Sequence, residues 1–275
     1  MKLSVLVDNN TLIDKNYYGE PGLSFHIEDG ENHILFDTGY SDIFLRNASK
    51  MNIDIKSINY VILSHGHLDH TWGLSNLMGV ADYYGSSKKE ITLLAHPAAL
   101  LPKEDSGEQI GMVISPDVLK RSFHVVTTKA PFWINDRFVF LGEIERVHKF
   151  ENRKPLGETL CEGTTVDDYL LDDSALVYKT NEGLVIITGC SHSGICNIID
   201  YAIKICGDSR ILDIVGGFHL LNPSDEVLQG TLAFISDVKP IQLHACHCTD
   251  LKSKIALSEV ANIIETGVGC EFQYD

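Results

Sequence analysis

The amino-acid sequence predicts an α/β fold of two stacked sheets with helices on their outer faces, a four-layer αββα sandwich. Two observations carry the prediction. Strand candidates alternate with helix candidates that show one apolar stripe, and two β-hairpins, one in each half of the chain, each feed a polar loop. Halves of similar design, with no repeat detectable by identity, fit a pair of packed sheets.

Length leaves 275 residues open between one large domain and two small ones. Residues 1–275 are expected to form one domain, and 44% hydrophobic residues supply ample material for a core. Asp and Glu number 38 against 22 Lys and Arg, for a net charge of −16. No local basic cluster stands out, so attraction to nucleic acid or to an anionic membrane is not expected. Seven cysteines, an odd number, lie scattered from Cys161 to Cys270 and read as reduced thiols of a cytoplasmic protein. The N-terminus Met-Lys-Leu-Ser-Val-Leu-Val-Asp lacks the pattern of a signal peptide, and no run of about 18 apolar residues exists to span a bilayer.

Residues 2 to 7 form a buried-strand candidate ended by Asp8, Asn9 and Asn10. Gly22 to Glu28 and His33 to Phe36 read as a hairpin with Asp29-Gly30 in the turn. Ser41 to Met51 has helical apolar spacing at Ile43, Phe44 and Ala48, and a strand follows over Ile58 to Leu63. That strand runs into Ser64-His65-Gly66-His67-Leu68-Asp69-His70. Three imidazoles and a carboxylate within six positions are the ligands a borderline-soft divalent ion takes, and a strand stopping in a loop can turn ligands from both of its faces inward.

Beyond this loop, a helix begins in Trp72 to Met78 and a strand runs from Ile91 to Ala95. Leu101 to Asp173 reads poorly, with strand candidates at Phe123 to Thr128 and Arg137 to Leu141. Patterning resumes in a hairpin of Ala175 to Tyr178 and Leu184 to Ile187, which delivers Gly189-Cys190-Ser191-His192-Ser193-Gly194 to a helix over Ile195 to Cys206. Glycines at that junction allow close backbone approach, and helix-start amides favour an anion, so Ser193 and Gly194 are candidate substrate contacts. His192 is a ligand candidate. Cys190 is either a thiolate ligand or a buried thiol packed below the site. Ile211 to Val215 leads into Gly216-Gly217-Phe218-His219, where His219 could ligate a metal, donate to a substrate oxygen, or satisfy a buried carbonyl. A helix starts near Pro223 and Ser224. The strand Ile241 to Ala245 ends in Cys246-His247-Cys248-Thr249; alternation of an extended segment puts His247 on the site and both cysteines away from it as structural residues.

The motif Ser64 to His70, preceded by Phe36-Asp37-Thr38-Gly39, resembles the His-x-His-x-Asp-His signature of the metallo-β-lactamase fold. Together with the loops at Gly189–Gly194, Gly216–Leu220 and His247–Thr249, it resembles more narrowly a subgroup with dihydropteroate-synthase-like chemistry in methanopterin biosynthesis. The resemblance spans nearly the whole chain. It implies that His65, His67 and His192 hold one metal and Asp69, His70 and His247 a second, with Asp37 orienting the histidine loop from behind. It also implies that a variable segment, about 101–173, covers the active-site mouth and selects the substrate. In many relatives the strand before Cys190 ends in Thr-Gly-Asp, and the cysteine here departs from that pattern.

The expected cofactor is two divalent ions, zinc first, with manganese or iron as alternatives. Such a site lowers the pKa of bound water to about 7, so the default expectation is a hydrolase of a small anionic or phosphorylated substrate, with Asp69 and His219 as candidate catalytic groups. The alternative is a transferase joining a dihydropterin diphosphate to a ribofuranosyl-aminobenzene phosphate. A further alternative, of another class, is a metal-binding or sensor protein without turnover. The expected partner is a small molecule, with neither nucleic acid nor membrane.

Overall fold

The computed structural model describes residues 1–83, 91–151, 154–161 and 163–275. The chain divides into two compact units. The first comprises residues 1–128, 156–168 and 267–275, and the second residues 129–155 and 169–266.

A seven-stranded sheet organises the first unit, in the order Glu271–Gln273, Lys2–Val7, Ser24–Asp29, Asn32–Phe36, Tyr60–Ile62, Thr92–Ala95, His124–Thr127. The first four strands pair antiparallel and the last four pair parallel. Parallel pairing needs crossovers, and the helices α1 (Ile43–Lys50), α2 (Leu68–Thr71), α3 (Leu74–Tyr83) and α4 (Pro116–Ser122) lie in them. Apolar side chains of the parallel strands, among them Leu35, Val61, Leu63, Leu93 and Ala95, pack with Phe44 and Ala48 of α1 into a core with no solvent exposure. Asn47, on the inner face of α1, is buried and fully used: its amide nitrogen donates to the carbonyls of Leu6 and Tyr18, both at 2.8 Å. A second small sheet orders Thr164–Asp167, Glu158–Cys161, Lys103–Asp105 and Glu108–Gln109. Buried Lys103 pairs there with Asp168.

A six-stranded sheet organises the second unit, in the order Gln242–Cys246, Ile211–Gly217, Leu184–Thr188, Ala175–Lys179, Phe138–Phe140, Phe132–Trp133. The first three strands are parallel and the rest antiparallel. Helices α5 (Ile195–Cys206), α6 (Asp225–Val238) and α7 (Leu251–Ser258) complete it. The predicted stripe of α5 is buried at Ile195, Ile198, Ile199 and Ala202 against Val177, Ile186 and Ile214. Ser224 caps α6, its hydroxyl accepting from the Val227 amide, as the sequence around Pro223 predicts. Each unit therefore has its own core and a mixed sheet, and the α/β class holds. In both, the candidate site residues follow the C-terminal ends of parallel strands.

Candidate metal centre

In the first unit the loop from Ser64 to His70 is built around Asp37. The strand Asn32–Phe36 ends there, and Asp37 takes the left-handed conformation (φ 57°). Its carboxylate accepts from the Ser64 amide at 2.7 Å and the Ser64 hydroxyl at 2.6 Å, and lies 2.7 Å from Nδ1 of His70. All three residues are fully buried. Bonding at Nδ1 fixes the ring and presents Nε2 of His70, which lies 3.5 Å from Asp69 Oδ2. The Ser64 hydroxyl also lies 2.9 Å from Nδ1 of His65. The ring of His65 packs against those of His67 and His70 at centroid distances of 4.7 and 4.2 Å. The carbonyl of His70 accepts from the Thr38 amide and hydroxyl at 2.8 and 3.0 Å, which ties the loop back to the Asp37 strand end. The unit thus gathers His65, His67, Asp69 and His70 as one donor cluster.

The titration of His70 reflects this setting. Burial alone would lower its pKa; the charges of Asp69 and Asp37 and their hydrogen bonds outweigh that and raise it to about 10.

The second unit gathers Cys190, His192, His219 and His247, together with Cys248. His247 Nε2 lies 3.1 Å from Cys190 Sγ, and the His192 and His219 rings are 4.3 Å apart. The His219 amide donates to Cys248 Sγ at 3.2 Å, and the Cys248 thiol donates to the Cys190 carbonyl at 3.4 Å. Cys248 therefore belongs to the cluster. The expectation from strand alternation fails because the strand stops at Cys246 and His247 adopts φ 51°, so extended geometry ends one residue early. Cys246 is fully buried, as expected of a structural residue. For His219, burial pulls the pKa down, but the hydrogen bond and charge of Cys248, with a contribution from Asp173, raise it overall. Its Nδ1 is buried and accepts no hydrogen bond.

The predicted anion site at the start of α5 is filled from within. Glu151 places its carboxylate on the first turn, accepting from the Cys196 and Asn197 amides at 2.8 Å each. Gly194 has φ 100°, and a Cβ there would lie 2.1 Å from Glu151 Oε2. Ser193 is equally committed, since its amide and its hydroxyl both donate to buried Asp173. The glycine-and-amide pattern is thus real, and the group its amides hold is the chain's own carboxylate, while Ser193 is taken up by Asp173. Glu151 and Asp173 went unseen because both lie in the poorly patterned segment, far in sequence from their partners.

The metallo-beta-lactamase superfamily profile matches residues 17–153. The chain belongs to the metallo-beta-lactamase superfamily, and it is an enzyme; this sets aside the sensor alternative. It is 32% identical to the 7,8-dihydropterin-6-methyl-4-(beta-D-ribofuranosyl)-aminobenzene-5'-phosphate synthase of Methanocaldococcus jannaschii, over 92% of this chain and 89% of that one. It is similar to the crystal structure of Tm1679, described as a metal-dependent hydrolase of the beta-lactamase superfamily, at 29% identity and TM-score 0.83, covering 100% of this chain and 99% of that one. YhfI of Bacillus subtilis, a metallo-beta-lactamase fold protein, shares the fold at 12% identity and TM-score 0.59, with 98% of each chain covered. Membership implies metal binding, and the donor chemistry agrees: buried imidazoles beside a carboxylate and thiols suit a divalent transition-metal ion. Among the described residues, no helix is long and apolar enough to cross a membrane.

Proposed function

We propose that the protein is a metal-dependent synthase that joins a dihydropterin to a ribofuranosyl-aminobenzene phosphate, with the donors of its strand-end loops as metal ligands. One observation carries the choice of reaction: the similarity to the synthase of that name runs over 92% of the chain. The proposed ligands are His65, Asp69 and His70 in the first unit and Cys190, His192 and His247 in the second. His67, whose ring meets that of His65 edge-on, completes the ligands. Two divalent ions, zinc in the first place, are the proposed cofactor, and the protein is proposed to work in the cytoplasm with its seven cysteines as thiols.

In the proposed step the arylamine nitrogen attacks the exocyclic methylene carbon of a dihydropterin diphosphate. The carbon–oxygen bond breaks, its electron pair leaves with diphosphate, and the amine proton passes to solvent. Bound metal would supply Lewis acidity toward the departing anion. The chain's own part is orientation and hydrogen bonding: Asp37 holds His70, and His219, biased toward its protonated form, donates to an anionic oxygen.

Hydrolysis is the second reading, supported by the similarity to Tm1679, a metal-dependent hydrolase. Metal-loaded protein given the dihydropterin diphosphate with and without the arylamine phosphate separates the two. Release of diphosphate only when the arylamine is present, with a coupled product by mass, supports the synthase. Release without arylamine supports hydrolysis and ends the synthase reading.

A further inference from the structure

We propose that a cavity inside the second unit binds the aryl-phosphate half of the substrate, with Lys149 and Lys154 as phosphate contacts and Phe150 and Phe218 as walls for the ring. This deepens the synthase reading and rests on it for the identity of the ligand. The cavity has a volume of about 470 Å³, within the roughly 300–1,000 Å³ usual for small-molecule sites. Ser191 and His219 line it, so it adjoins the cluster of Cys190, His192 and His219 in the chain and in space. Its walls are apolar at Phe218, which is buried, and at half-buried Phe150 and Val227. Both lysines are exposed.

Charge decides what such a cavity takes. The chain carries a net −16, yet Arg146, Lys149, Arg153 and Lys154 fall within nine residues that hold one acid, Glu151, a local basic concentration that corrects the expectation of none. Two carboxylates also line the cavity. Glu151 is engaged by two α5 amides, and Glu226 sits in the first turn of α6, where the helix dipole favours an acid. An apolar ligand would make no use of the two ammonium groups, and a bare inorganic phosphate would leave the aromatic walls unfilled. A flat ring carrying a terminal phosphate answers both. The segment that bears Lys149 and Phe150 is held on α5, because Asn197 Oδ1 accepts from the Val147 and His148 amides at 2.7 and 3.0 Å. The pocket wall is therefore pre-positioned, which lowers the ordering cost of binding.

Calorimetric titration with 4-(β-D-ribofuranosyl)aminobenzene 5'-phosphate and with its dephosphorylated form tests the proposal directly. Wild type is expected to bind the phosphorylated compound, and Lys149→Ala/Lys154→Ala to bind it at least about tenfold more weakly, as for loss of a charge-assisted contact, while the dephosphorylated form binds both alike. Val227→Trp, checked for folding by circular dichroism, is expected to lose both ligands by filling the cavity. His67→Ala, which touches only the proposed metal centre, is expected to lose condensation and keep binding. Equal affinity of the double lysine variant for the phosphorylated compound, or no binding by wild type, overturns the pocket. Lysine-dependent binding without condensation would keep the pocket and remove the synthase reading; condensation unaffected by the lysine changes would do the reverse.

Discussion

At the scale of single residues, Asp37 carries more of the site than any ligand candidate beside it. It is buried, left-handed, and accepts from Ser64 while holding His70. Replacing it by Asn removes the charge and one acceptor, so Asp37→Asn is expected to weaken metal binding by about 10–100-fold with the fold intact, measured by metal titration against a competing chelator. His70 sharpens this. With its pKa raised to about 10, the metal-free protein keeps a proton there at neutral pH, and an incoming ion must displace it. Metal affinity should rise with pH up to about 10, with a proton released per binding event, visible as a dependence of the calorimetric heat on buffer ionisation enthalpy. For the metal-free fold the sign is opposite: stabilisation by charged His70 is complete below about 6.5 and is lost as pH rises through about 10. Glu151 gives a third case. Burial raises its pKa despite the α5 amides, so the native state binds the proton more tightly than the unfolded chain, and its stability contribution falls as pH rises above about 4.5. Glu151→Gln is expected to cost about 1–3 kcal/mol by turning an amide group toward backbone N–H donors. That cost should shrink with rising pH in denaturant melts; a cost independent of pH would contradict the assignment.

At the scale of elements, legibility in the sequence followed periodicity. Lys2–Val7, the hairpin Ala175–Thr188 and α5 were read to within a residue or two because apolar runs and a helical stripe mark them. The strands Lys103–Asp105, Glu158–Cys161 and Thr164–Asp167 were not read, since their side chains are largely exposed and carry no alternation to read. Helix α7 was missed for a related reason: among its eight residues, only Ser253 and Leu257 are buried. In the site, the histidines and Asp37 were legible from residue type, whereas Cys248 was not, because a left-handed residue at the end of a strand leaves no trace in composition. Ser191, His219 and His247 share that conformation with Asp37, at φ 59°, 52° and 51°, a strain that persists only where surrounding contacts enforce it. Gly194 belongs to the same logic at the junction of the loop with α5. Gly194→Ala would need φ 100° and would drive Cβ into the Glu151 carboxylate, so a loss of about 1–3 kcal/mol is expected, read as a lower Tm. Glu151→Ala should relieve part of it, whereas strict additivity of the two changes would show that the close contact plays no part.

At the scale of the whole molecule, each unit has a buried core and so meets the first requirement of folding without help from an ion. What the proposed metal binding adds is linkage. An ion bound by the native state alone stabilises it by about 2.7 kcal/mol at a concentration 100 times its Kd, equivalent to roughly 5–10 °C in Tm for a chain somewhat larger than 150–250 residues. Zinc added to chelator-treated protein should therefore raise Tm by that order, in scanning calorimetry at fixed protein concentration. If both loop clusters ligate metal, His67→Ala in the first unit and His247→Ala in the second should each blunt the rise. Elemental analysis should then show metal content falling below two equivalents in both. A full thermal response and unchanged metal content in His247→Ala would confine the ions to the cluster of His65, His67, Asp69 and His70, and would remove His247 from the ligands.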